Sequence, residues 1–214
     1  TTARGVGRWR RALLGLGYDV TAIALASRGV PDECTAVIVA GPRDPFAPAE
    51  SAALRQFVAG GGAVMFLLDV GFTPDAELAA LLGELGVVLD GSVAADPVNH
   101  YGSDVQTIAV AAYPAHSVTE RVGYTYFPGA RPLVIDTRPQ LEAVPLVETS
   151  EAATLLQPDG SASAPGRRVL AAAITGRLGE ADEPFRALVV GDVDFVGNEH
   201  FPQVANSDLA LAMA

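Results

Sequence analysis

A single cysteine, Cys34, leaves no partner for an internal disulfide. Its place at the entry to an apolar segment suits a small buried hydrophobe better than a nucleophile. Basic residues are scarce: 14 Lys and Arg stand against 25 Asp and Glu, for a net charge of −11. That balance argues against nucleic acid as a partner, because such binding depends on cationic side chains neutralising phosphates. The one basic cluster, Arg4, Arg8, Arg10 and Arg11, is small and reads as the solvated face of a helix. No apolar run approaches the ~18 residues that a membrane-spanning helix requires, and no signal peptide is recognisable. Aromatic residues make up only 7% of the chain. What remains is rich in aliphatics and alanine, with 22 glycines and 15 prolines. At 214 residues the chain has length for one sizeable core.

Along the chain, Val6, Trp9, Leu13 and Leu16 recur at helical spacing and Gly17 ends the pattern. Tyr18 to Ile23 and Thr35 to Ala40 read as strands. Pro48 and Glu50 open a second helix, carrying Leu54, Phe57 and Val58, that closes on Gly60 to Gly62. Ala63 to Leu68 is a buried strand. Thr73 and Pro74 are expected to start a third helix, with Leu78, Leu81, Leu82 and Leu85 on one face, followed by the strand Val87 to Leu89. This alternation predicts an α/β domain with a mostly parallel sheet flanked by helices, amidotransferase-like or flavodoxin-like. Residues 92–140 lack a helical pattern and read as an inserted loop and β extension within a single domain spanning 1–214. Leu141 to Val147, Arg168 to Thr175 and Arg186 to Val190 are further strands, and a last helix begins near Asn206 or Ser207. The chain opens inside a helix and stops in Leu209-Ala-Leu-Ala-Met-Ala, as expected of a fragment of a longer, membrane-anchored protein.

Several constellations bear on chemistry. Gly60 to Gly62 closes a helix and feeds a strand, the reverse of a phosphate-binding loop. Asp69 follows a buried strand, at a turn where related folds hold a nucleophile, but no Ser or Cys stands there and no Gly-x-Ser-x-Gly occurs. His116 and Thr119 are expected to fix their own loop by hydrogen bonds. The densest polar group is Asp192, Asp194, Asn198, Glu199 and His200, just past the last strand. Three readings stand open for it: a structural turn with Asx-type bonds, a ligand contact, or a metal-assisted hydrolase using Asp192, Asp194 and His200. With only three histidines and no paired-His spacing, zinc is disfavoured. In an open α/β sheet the carboxyl ends of the strands border the binding crevice. Arg43, Asp69, Asp192, Asp194 and Asn198 are therefore the candidate ligand-binding residues; no catalytic residue, metal ligand or cofactor is assigned.

The helix closing on Gly-Gly-Gly before Val64-Met-Phe-Leu-Leu-Asp69, the segments His116-Ser-Val-Thr119, Phe127-Pro-Gly-Ala-Arg131 and Leu146-Val-Glu-Thr-Ser150, and Val189-Val-Gly-Asp-Val-Asp-Phe195 with Asn198 occur in a familiar order. The chain resembles the extracytoplasmic auxiliary domain of gliding-motility-type ABC transporters, the ABC-type uncharacterized transport system family. The resemblance implies a fold related to class I glutamine amidotransferases without their nucleophile, followed by a membrane helix. It also implies a bacterial, extracytoplasmic, non-enzymatic domain. Its expected partners are permease and ATPase subunits or a second auxiliary subunit, with a small-molecule or glycan ligand; a pure protein-interaction scaffold is the alternative.

Overall fold

The computed structural model describes residues 2–179 and 181–214. The central strand β2 shows how the sheet is covered. In β2 (Ala63–Leu67) and the residue after it, Val64, Phe66 and Leu68 enter one apolar cluster and Met65 and Leu67 the other. Successive side chains of a strand point to opposite faces, so a run apolar at every position is buried on both. One face is covered by α3 (Pro48–Ala59) and α4 (Ala76–Glu84), with Leu54, Val58, Leu78, Leu81 and Leu82 packed against the sheet. The short α2 (Leu25–Arg28) lies against α3. The other face is covered by α1 (Gly7–Gly15), α5 (Asn206–Ala212) and a small sheet, through Trp9, Leu13, Phe127, Phe195 and Leu209. The helices start for local reasons. Pro48 occupies the first turn of α3 while Glu50 accepts the Ala47 N–H, and Asp75 caps α4 by accepting from the Glu77 and Leu78 N–H groups. The α4 cap is thus Asp75 rather than Thr73.

The main sheet runs β1 (Ala36–Ala40), β2, β12 (Phe185–Val190), β11 (Val169–Gly176), β8 (Leu133–Ile135) and β3 (Val87–Leu89), with β9 (Leu141–Glu148) also paired to β11. Among the described residues only β1–β2 and β2–β12 are parallel; β12–β11, β11–β9, β11–β8 and β8–β3 are antiparallel. This corrects the expectation of a mostly parallel, helix-flanked sheet: the sheet is mixed, and strands as well as helices cover one face. The reason lies in the connections. A parallel neighbour needs a crossover of a dozen or more residues, usually helical. Between α4 and α5 no α-helix occurs among the described residues, so β9, β11 and β12 return on one another as antiparallel neighbours.

Within residues 92–140, β5 (His100–Tyr101), β6 (Asp104–Val110) and β7 (Thr125–Pro128) form the small antiparallel sheet. β4 (Val93–Ala95) pairs with β10 (Thr154–Leu156), and β8 returns to the main sheet. Tyr18 to Ile23, which alternates like a strand, joins no ladder among the described residues.

Candidate functional site

The ends of β2 and β12 lie side by side, Leu67 opposite Val190, and the chain continues from them into Asp69 and Gly191-Asp192. Gly191 donates to Leu170 O at 2.9 Å and accepts from Arg131 N–H at 2.8 Å. A Cβ built there would stand 1.9 Å from Arg131 O, so only glycine fits. The next residues form a closed corner. Asp192 Oδ1 accepts the Asp194 N–H at 2.7 Å, starting a short 3-10 turn (Asp194–Val196), and Asp69 Oδ1 accepts the Val193 N–H at 2.7 Å. Each carboxylate thus satisfies a main-chain donor of the β12 loop.

Asp192 is buried, and its Oδ2 has no hydrogen-bond partner among the described residues. Burial, with the Asp69 carboxylate adding to it, pushes the Asp192 carboxyl well above its ordinary range. Asp69 is raised too, by burial and then by Asp194, against the pull of the Val193 N–H and the Arg131 guanidinium. Arg131, itself buried, does not pair with either side chain. Its Nε donates to Asp90 O at 2.8 Å and its Nη1 to Asp69 O and Phe72 O, both at 2.9 Å. Burial lowers its pKa, and the nearby Asp90 and Asp69 charges oppose that. Arg131 therefore ties the 69–72 turn and the Asp90 loop to its own segment through their carbonyls.

The remaining sequence-derived candidates separate. Asn198 Oδ1 accepts the Arg8 N–H at the start of α1 at 2.7 Å, and its Nδ2 donates to Thr2 O at 2.8 Å. It pins the N-terminal segment to the strand-end loop. His200 Nδ1 lies 3.0 Å from the Tyr126 hydroxyl, with the rings edge to face. Arg43 is exposed in the loop after β1, and among the described residues no ion pair ties it to the carboxylates. No group of three or more His, Cys, Asp or Glu side chains converges on a metal-sized point among the described residues. Around His116, the Val118 N–H donates to Nδ1 at 3.1 Å, and the Thr119 hydroxyl donates to Pro114 O at 2.8 Å.

A second polar centre escaped sequence reasoning. Asp96, fully buried, accepts from the N–H groups of Val98 and Asn99, the N–H of Ser150 and the Ser150 hydroxyl. Burial alone would raise its pKa; these bonds outweigh it and hold the carboxyl below its ordinary value. The Leu146-to-Ser150 segment was the available signal, but nothing local pairs Ser150 with a residue 54 positions away. Beside this centre an open cleft of about 750 Å³ is lined by Asn99, His100, Tyr113, Tyr124, Ser150 and Arg167 among others. Arg167 is engaged with Glu148 at 3.4 Å and Glu151 at 3.1 Å.

Comparison with known proteins fits this fold. The mmIFT52 N-terminal domain superposes with a TM-score of 0.72 at 17% identity, over 98% of this chain and 88% of that one. The exo-beta-1,4-mannosidase Op5Man5 from Opitutaceae bacterium strain TAV5 superposes with a TM-score of 0.51 at 13% identity. The match covers 95% of this chain but 29% of the mannosidase. At these identities the likeness is one of fold alone. No curated protein sequence matches the chain. The family model for the ABC-type uncharacterized transport system matches residues 8–212, nearly the whole chain and the full span from α1 to α5. The chain belongs to that family, the auxiliary components of ABC transport systems.

Proposed function

We propose that the chain is a non-catalytic, extracytoplasmic binding domain of an ABC transporter auxiliary subunit, in the manner of the gliding-motility systems. It acts by recognising a partner or ligand for the permease and ATPase subunits or a second auxiliary subunit. The observation that carries the non-catalytic reading is the closed corner at the strand ends. Of the hydrolase candidates Asp192, Asp194 and His200, Asp192 is spent on the Asp194 N–H and His200 faces Tyr126, while the neighbouring Asp69 is spent on the Val193 N–H. A nucleophile or general base must reach a substrate atom within hydrogen-bond distance. Asp192 is almost wholly shut off from solvent, at 2% exposure. The strand-end crevice thus supports a rigid scaffold, and recognition falls to surfaces elsewhere.

Cys34, half-buried ahead of β1, supplies a test of placement. In the full-length protein with this as the sole cysteine, a membrane-impermeant maleimide added to intact cells is expected to label it. Labelling only after lysis overturns the extracytoplasmic reading. Detergent co-purification of the permease with the full-length protein, and its loss on deleting residues 1–214, tests the transporter role.

A further inference from the structure

α1 is held to the body of the protein along one side and open on the other. Trp9 and Leu13 are buried in the core, and the Asn198 side chain accepts the Arg8 N–H in the first turn. Side chains three and four positions apart are neighbours on a helix surface. Arg10 and Arg11 therefore flank Leu14, and all three are exposed, Leu14 at 41%. Past the helix the chain folds back on it: the Tyr18 N–H donates to Leu13 O at 3.2 Å, and Arg10 Nη2 donates to Val20 O at 2.9 Å. These bonds hold Leu16, 62% exposed, and Tyr18, 49% exposed, at the end of the same helix. Arginines, leucines and Tyr18 thus share one surface.

The charges on this surface do not serve the helix itself. A helix N-terminus is the positive end of its dipole, where acidic side chains stabilise and basic ones oppose. α3, α4 and α5 follow that rule, with Glu50, Glu77 and Asp208 in their first turns. α1 has no acidic residue there but Arg8 and Arg10, no side-chain cap and no basic residue in its last turn. Among the described residues no ion pair neutralises Arg8, Arg10 or Arg11. The sequence has no Asp or Glu before Asp19, although the whole chain carries a net charge of −11. An anionic surface therefore repels the molecule on balance and attracts it at α1, which fixes the orientation of approach.

We propose that α1 docks the protein on a bilayer surface that carries anionic lipids. Arg8, Arg10 and Arg11 take the headgroup phosphates, and Leu14, Leu16 and Tyr18 enter the boundary between headgroups and acyl chains. Tyr18 suits that boundary because its ring is apolar and its hydroxyl polar. An acidic polypeptide would also answer the arginines, but peptides are received by grooves and open sheet edges, whereas the exposed side of a helix is convex. A second copy would set like charges against each other in two already acidic molecules. The bilayer surface is a partner beyond the transporter subunits of the binding role above, and it does not depend on that role.

The test is flotation of the purified chain with vesicles of phosphatidylcholine alone or of phosphatidylcholine mixed with phosphatidylglycerol. Binding to the mixed vesicles is expected at low salt, and to be about tenfold or more weaker with the neutral vesicles or in about 0.5 M sodium chloride. The double variant Arg8→Glu, Arg11→Glu alters exposed side chains that make no hydrogen bond among the described residues, and is expected to bind about twentyfold or more weakly. Its new acid in the first turn favours the helix, so that loss cannot be put down to unfolding. Leu16→Trp reports insertion: its emission is expected to shift to the blue on the mixed vesicles, over the constant signal of Trp9, which is 2% exposed. No binding to the mixed vesicles, equal binding to the neutral ones, full binding by the double variant or an unshifted Leu16→Trp emission overturns the proposal. So does equally tight binding of soluble polyglutamate, which would assign the face to an acidic polypeptide. A protein that floats with the vesicles but fails to retain the permease sinks the transporter role alone. One that retains the permease but ignores the vesicles sinks the docking face alone.

Discussion

At the scale of single residues, Gly191 and Asp192 define the strand-end corner by opposite means. Gly191 is required because Arg131 O occupies the space of a side chain. Gly191→Ala is expected to cost about 3 kcal/mol or more, or to prevent folding, since the obstacle is main chain held by its own hydrogen bond. Urea denaturation measures this, and a loss below about 1 kcal/mol would show that the corner yields. Asp192 is held toward its neutral form, and the sign of its linkage follows. A carboxyl whose folded pKa is raised stabilises the fold below the unfolded pKa of about 4, and that contribution fades as pH rises through the folded value. Asp192→Asn keeps an acceptor for the Asp194 N–H and abolishes the titration. Its stability relative to the parent is therefore expected to improve steadily as pH rises above about 4, in parallel urea titrations. A flat difference across that range would refute the buried-acid assignment.

At the scale of elements, the polar staples hold together segments far apart in the chain. Asn198→Ala removes the acceptor for the Arg8 N–H and the donor to Thr2 O, and is expected to cost about 1–2 kcal/mol. Hydrogen exchange should accelerate first at the start of α1. The Asp96–Ser150 contact joins the end of β4 to the end of β9. Here the sign is the reverse of Asp192: the folded pKa is lowered, so the stabilisation is present above about pH 4 and is lost as the pH falls through the folded value. Asp96→Ala is expected to destabilise by about 3 kcal/mol at neutral pH, leaving buried donors unpaired, with the deficit shrinking on acidification. A pH-independent deficit would assign the contact to packing rather than charge.

At the scale of the whole molecule, the net charge of −11 opposes compaction, and salt screens it. The urea midpoint at neutral pH is expected to rise between low and about 0.5 M sodium chloride; no change would mean that the charges are too dispersed to matter. Much of the architecture was legible in the chain itself. The Gly60–Gly62 stop, the two-faced burial of Val64 to Leu68 and the leucine stripe of α4 follow from local periodicity, which is a property of consecutive residues. Sheet direction was not. Whether β11 lies antiparallel to β12 depends on which strand edges meet, and apolar strands read alike in either sense. Tyr18 to Ile23 carries the pattern of a strand but pairs with no strand among the described residues. The site divided along the same line. From their spacing, Asp192 and Asp194 read as a structural turn, a ligand contact or a catalytic pair, and the tertiary fold shows the Asp192 carboxylate taking the Asp194 N–H. That Asp69 caps Val193, that Asn198 holds α1 and that Ser150 reaches Asp96 required the tertiary fold, because a carboxylate's role is set by the donors brought to it across 124 or 54 residues of chain.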